Sequence, residues 1–408
     1  MKTHSTQTTT AEDLLVFSHL RWNFVFQRPQ HLMSRFAQNR RVYFIEEPIR
    51  ENVQFARLEI RAEAHGLKIV VPHIPNDLPW SNVIEEQKRM VSELIFREQI
   101  RHFVSWYYTP MALPFTRHLH PKAIAYDCMD ELSAFRGAPP ELVELEKELL
   151  SQADVVFTGG QSLYEAKKFH HPNIHPFPSS IDCSHFGKAR EKCVEPADQK
   201  IPFLKAQSKK VGFCGVIDER MDLELIESLA ALRPNWNIMM IGPVVKIDPA
   251  SLPQAPNIHY MGMKSYSELP AYMAHWDLAI LPFARNESTR FISPTKTPEY
   301  LSAGLPVVST SITDVVTPYG DLRLVHIADK ASDFVRAGEV AMHERKEENW
   351  AVRVDEYLAN FSWNITMSEM DQHLAEVTRT ETKIAFPDLK MPWVKPSVSV
   401  PYGSSLRT

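Results

Sequence analysis

Cysteine is scarce in this 408-residue chain: Cys128, Cys183, Cys193 and Cys214, with neither C-x-x-C spacing nor a Cys/His cluster. No disulfide framework or zinc set is legible there, and buried or neutral free thiols in a reducing compartment are expected. The first ten residues are polar and threonine-rich with no apolar centre, so they do not read as a signal peptide. No stretch approaches the ~18 apolar residues of a membrane-crossing helix. A cytoplasmic protein is expected, with peripheral docking at the inner face of the plasma membrane left open. Positive charge is not in excess: the net charge is −5, which argues against nucleic acid as the main partner. No Gly-x-Gly-x-x-Gly follows any predicted strand, so a hydride-transfer enzyme is not indicated. No clear Asp/His metal cluster and no tandem repeat is legible.

What is present is a globular composition, 44% hydrophobic and 23% charged, at a length that suits about two domains. Strands predicted at residues 14–18, 41–45, 67–71, 123–126 and 153–158 alternate with helical stretches, a parallel doubly wound start. A charged helix is expected over 85–103. Its basic residues alternate with glutamates, so it reads as a solvated face. Periodicity dissolves between 187 and 210. It resumes with strands at 210–214, 237–241, 258–262, 278–282, 305–308 and 324–326. The expected layout is a first α/β domain over 1–190, a linker over 191–209 and a second α/β domain over 210–360. A helix over 361–378 is expected to rejoin the first domain, and an extended or disordered tail to fill 379–408.

Three places concentrate chemistry. The loop leaving the first strand holds Arg21, Trp22, Gln27, Arg28 and His31. It reads either as contacts to a phosphate or sugar, or as Trp22 plugging the core beside solvated arginines. Asp127, Asp130 and Glu131 end a strand, where acid/base work or hydroxyl binding is expected. The alternative is one helix cap with solvated neighbours. The stretch 293–309 reads as loop, short helix, tight turn and buried strand. Ser293, Thr295 and Thr297 are candidate caps, Pro298 suits a first turn, and Gly304 suits a helix end at positive φ. Lys296 at that helix mouth suits a phosphate, and Glu299 could hold the vicinal hydroxyls of a ribose; the alternative is a capped surface helix with a solvated lysine and glutamate.

The motif Glu299-x-x-x-x-Gly304-x-Pro306-Val307-Val308 resembles glycosyltransferases of the GT-B fold, in which two Rossmann-like domains face a central cleft. More narrowly, Arg21-Trp22 through His31, Tyr126 through Glu131 and Ser293 through Lys296 with Glu299-Tyr300-Leu301 resemble bacterial family-4-type enzymes. These occur in polysaccharide and cell-envelope biosynthesis, teichuronic acid enzymes included. The resemblance implies a nucleotide-diphosphate sugar as co-substrate in the second domain and a glycan or lipid-linked acceptor in the first, with no metal or other cofactor. It assigns Glu299 to the ribose; Arg220 is the remaining cation of the family's basic pair, and Arg290 and Lys296 are expected to make up the lost charge on the diphosphate, with Thr295 and Gly215 beside the nucleotide. Arg21, Trp22, Gln27 and Arg28 fall to the acceptor side. The acceptor's proton goes to Asp130, with Asp127 beside it, to His19, or to the leaving phosphate itself. The chain departs from the family pattern where Phe291 replaces the first of two glutamates, with Glu287 as a substitute. Val216 and Met221 stand where Arg and Lys are common. A sugar-nucleotide epimerase or a non-catalytic binding subunit on the same fold remain the alternatives.

Overall fold

The computed structural model describes residues 12–63, 65–191 and 207–380. The expected tail and most of the expected linker lie outside these residues. The first domain is built on one sheet. Its strands are β1 (Asp13–Phe17), β2 (Val42–Ile45), β3 (Ile49–Glu51), β4 (Arg57–Ala62), β5 (Leu67–Pro75), β6 (Phe103–Tyr107), β7 (Ala123–Cys128), β8 (Val155–Thr158) and β9 (Ile174–Pro176). Their order is β3-β5-β2-β1-β6-β7-β8-β9, parallel throughout, with β4 antiparallel on β5. The central strands are buried on both faces, which is why they read as continuous apolar runs.

The second sheet contains β10 (Lys209–Cys214), β11 (Trp236–Ile241), β12 (Ile258–Gly262), β13 (Leu278–Leu281), β14 (Val307–Ser309) and β15 (His326–Ile327). It is parallel in the order β12-β11-β10-β13-β14-β15. In each sheet the strand order reverses beside the domain's first strand, β1 or β10. A crevice opens outside the carboxyl ends of the strands at such a switch point, the usual ligand position in doubly wound folds. The helix Trp363–Thr380 returns to the first domain, where Trp363, Met370 and Leu374 join the core cluster of β1 and β6.

Three elements differ from the sequence expectations. The helix expected over 85–103 runs Trp80–Arg97, and its supposed end is β6, a central strand. The break falls at Gln99, which adopts φ 52° without any glycine or proline to mark it. Strands β3 and β4 were not expected, because each is largely polar and half exposed at the sheet edge. The sequence over 331–347 reads as one helix, but the helix there ends at Glu344 and a separate one spans Glu348–Leu358.

Candidate active site

The cleft holds two adjoining hollows, of about 830 and 1020 Å³. Gln27, Arg28 and Asp130 from the first domain line the smaller one, with Gly215, Arg220 and the 292–296 loop from the second. The larger is lined by Trp22 to Phe26 on one side and by Gly242, Pro243 and Met263 to Tyr266 on the other. Gly215 and Lys296 border both.

Lys296 opens the seven-residue helix Lys296–Ser302. Its Nζ lies 2.5 Å from Glu299 Oε2, one turn on, and the side chains are only 13% and 6% exposed. Burial works against the ammonium, but the Glu299 carboxylate outweighs it and raises the lysine pKa. Burial in turn raises Glu299, against the pull of Lys296. Glu299 borders neither hollow; it lies behind Lys296 and fixes it. The expected caps do not form: Thr295 is the first flanking residue but makes no side-chain cap bond. Gly304 does take positive φ, at 71°, and ends the helix before β14.

Tyr300, on the same short helix, belongs to the family-like segment of the sequence but had no role assigned to it. Its hydroxyl accepts from the Cys214 N–H at 2.7 Å and donates to the Cys214 carbonyl at 3.2 Å. This ties the helix to the end of β10 and so sets Gly215 beside Lys296. Gly242 completes the arrangement, because a Cβ there would lie 1.8 Å from the Gly215 carbonyl oxygen. Only glycine permits the two strand ends to approach so closely.

Arg220 reaches the smaller hollow with its Nε 2.9 Å from Asp218 Oδ1 and its Nη2 2.7 Å from Oδ2. Asp130 faces it from the first domain. Burial pushes Asp130 up to about 6, although Arg220 and Arg28 pull the other way. Asp130, Gln27, Gly215, Arg220, Thr295 and Lys296 therefore converge on one hollow.

Other expected residues do not join them. Asp127 is fully buried behind Arg28, whose guanidinium donates to it from Nε and Nη2 at 2.8–3.0 Å and from Nη1 to the Phe177 carbonyl at 2.6 Å. That closed ion pair braces the first domain and leaves Asp127 no face for a substrate. Arg21 is spent on Glu46, at 3.0 Å, and on the Glu47 and Pro48 carbonyls. Trp22 is 8% exposed and packs edge-on against Phe44, the core-plug reading, while still touching the larger hollow. Burial pulls His19 down to about 4, and it borders neither hollow. Arg290 points outward, 63% exposed, 3.7 Å from Glu287 and over the Phe291 ring. The one-turn helix Glu287–Thr289, closed by Thr289 N–H to Asn286 Oδ1, turns Arg290 and Glu287 to solvent. Glu287 therefore does not replace the missing glutamate. Phe291 packs against a core cluster of the first domain, and Met221 is buried in that of the second. Among the described residues no three His, Cys, Asp or Glu side chains are grouped to hold a metal, and no helix is long and apolar enough to cross a membrane.

Comparison with known proteins agrees with this layout. Residues 208–342 match the family model described as glycosyl transferases group 1. A Bacillus subtilis (strain 168) protein, TuaH, named as a teichuronic acid biosynthesis glycosyltransferase, is 22% identical over 277 residues, 64% of this chain and 68% of that protein. Sucrose-phosphate synthase from Thermosynechococcus elongatus superposes with a TM-score of 0.65 at 13% identity, over 91% of this chain and all of that one. The Anabaena protein HepE in complex with UDP gives 0.61 at 11% identity, over 90% and 100%. The chain is a glycosyltransferase of the GT-B fold whose residues 208–342 form a group 1 glycosyl transferase domain.

Proposed function

We propose that the protein moves a glycosyl unit from a nucleotide-diphosphate sugar to a hydroxyl of a glycan or lipid-linked acceptor, in exopolysaccharide or cell-envelope biosynthesis, without a metal ion. The observation that carries this reading is the position of Lys296, a buried ammonium at the junction of two hollows. In the proposed complex the nucleoside fills the larger hollow, between Gly242-Pro243 and Tyr266. The diphosphate lies on the Gly215 backbone, Lys296 and Arg220. The sugar and the acceptor hydroxyl meet in the smaller hollow, beside Asp130.

Breaking the sugar–phosphate bond builds negative charge on the leaving diphosphate. Two cations fixed in a partly dry cleft stabilise that charge more than water would, because they need no reorganisation. Asp130, titrating near 6, is ionised at neutral pH and basic enough to take the acceptor's proton. A proton passing to the leaving phosphate is the competing route, and an Asp130→Asn enzyme with full activity would favour it. Glu299 is proposed to hold the ribose hydroxyls once the diphosphate has drawn Lys296 off its carboxylate. The test is calorimetric titration of nucleoside diphosphates into Glu299→Gln. A loss of tenfold or more in affinity is expected, about 1.4 kcal/mol; unchanged affinity contradicts the assignment.

Phe291 and Met221, both in apolar packing where family members carry charge, favour one second reading, a subunit that binds donor without turning it over. Release of nucleoside diphosphate in the presence of candidate acceptors decides between the two. A lipid-linked acceptor would bring the protein to a membrane surface. Exposed Phe55 and Trp80 on the first domain, the latter under the Arg50 guanidinium, are the proposed contact. Co-sedimentation with anionic vesicles, lost in Phe55→Ser/Trp80→Ser, tests it.

A further inference from the structure

Phe135 follows the one-turn helix Leu132–Ala134, just beyond β7 in the first domain. Its ring meets two cations of the second domain: the Arg220 guanidinium carbon is 5.4 Å from the ring centroid and Lys246 Nζ is 5.1 Å from it. The next residue adds a polar link, the Arg136 N–H donating to Glu219 Oε1 at 3.3 Å. A ring with cations on it is ordinary; one whose cations both come from the opposite wall of a substrate cleft is not.

Arg220 is constrained from two sides. Asp218 holds the Nε and Nη2 edge of the guanidinium, and the ring of Phe135 lies against the group. Among the described residues Nη1 has no hydrogen-bond partner. The planar fork thus keeps a free donor edge in the hollow where the diphosphate is proposed to lie. Lys246 supports the same view. It is held at φ 61°, uncommon for a residue with a side chain. Among the described residues it forms no ion pair, and its ammonium lies over the Phe135 ring. Two like charges thus meet at one aromatic ring, with the carboxylates of Asp218, Asp130 and Glu219 acting on Arg220.

We infer that Phe135 is a positioning residue for glycosyl transfer: a first-domain ring that orients Arg220 on the donor diphosphate when the two domains close. Arg220 in the open protein keeps its Asp218 partner but loses the ring and turns about that edge. Donor cleavage is then tied to closure of the acceptor domain, which guards the donor against water when no acceptor domain covers it. This rests on the reading of Arg220 as a diphosphate contact.

The experiment compares Phe135→Leu, Phe135→Tyr, Lys246→Met, Arg220→Lys and the Phe135→Leu/Arg220→Lys double variant, in steady-state transfer and in UDP titration without acceptor. Phe135→Leu keeps apolar bulk and loses the aromatic face. It should lower kcat about tenfold, the scale of one cation–π contact out of water, while UDP affinity stays within about threefold. Phe135→Tyr should restore most of the rate, and Lys246→Met should cost less than Phe135→Leu. The double variant should be no slower than Arg220→Lys alone. Equal damage from Leu and Tyr, or additive losses in the double variant, would reduce Phe135 to interface packing. If instead Arg220→Lys alters neither affinity nor rate, the diphosphate assignment beneath the inference fails first.

Discussion

The buried pair of Arg28 and Asp127 is the clearest case of one residue's role being set by what it touches. Asp127→Asn leaves a guanidinium buried beside an amide, and breaking such a pair from one side costs about 3–5 kcal/mol. Urea unfolding should show that loss, and donor affinity measured on the surviving folded fraction should be near normal. Asp130, three residues on, behaves in the opposite way. If it takes the acceptor's proton, the rate falls as pH drops through about 6, because the protonated acid cannot act as base. Asp130→Asn should lower kcat by about a hundredfold and abolish that acidic limb. Its folded pKa lies above the unfolded carboxylate value near 4, so ionisation destabilises the native state. The penalty is absent below pH 4, grows between 4 and 6 and is complete above. Asp130→Asn should therefore be more stable at pH 7.5, by up to about 3 kcal/mol. The sequence placed both acids at a strand's carboxyl end but could not separate them. Asp127 finds its partner 99 residues away, and no local pattern carries that pairing.

At the scale of elements, the short helix Lys296–Ser302 depends on its tie to β10. Tyr300→Phe leaves the Cys214 N–H without its buried acceptor and should cost about 1–3 kcal/mol. A matching rise in the donor KM is expected, because Gly215 and Lys296 lose their common anchor. Thermal unfolding and donor titration together check it. The helix and turn were legible because proline, glycine and a β-branched run mark them in 293–309. Strands β1, β2, β10, β11 and β13 were legible as apolar runs of the right length. Strand β6 was not, because it follows a long amphipathic helix with no turn residue between them, and Gln99 supplies the turn unaided. For β4, the alternation of Leu58 and Ile60 with charged neighbours was the available signal. Phe135 and Lys246 carried none, since an isolated aromatic or lysine in a loop is common and their meaning arises only across the cleft.

For the whole molecule, the closed arrangement rests on a few contacts between domains. Phe26 stacks on Tyr266 at 4.5 Å, Phe291 packs into the first domain's core, and the Ser162 N–H donates to Asp314 Oδ1 at 2.9 Å. Gly160 allows that last approach, because a Cβ there would meet Asp314 Oδ2 at 2.2 Å. Asp314→Ala should open the cleft, seen as a larger radius of gyration in small-angle scattering that shrinks when donor is added. A donor KM raised by about threefold to tenfold should accompany it, the scale of one ordinary hydrogen bond. The pattern of two alternating halves was readable from periodicity, but how they meet was not, since those contacts join residues more than a hundred positions apart.

The diphosphate-binding role of Lys296 is tested by calorimetric titration of UDP, GDP, ADP and dTDP into the wild-type chain and into Lys296→Met, with circular dichroism to confirm that both are folded. At least one nucleotide should bind the wild type, and Lys296→Met should bind it at least tenfold more weakly, about 1.4 kcal/mol. Equal affinity in the two folded proteins would remove the donor site from the mouth of this helix, and with it the proposed path of the reaction.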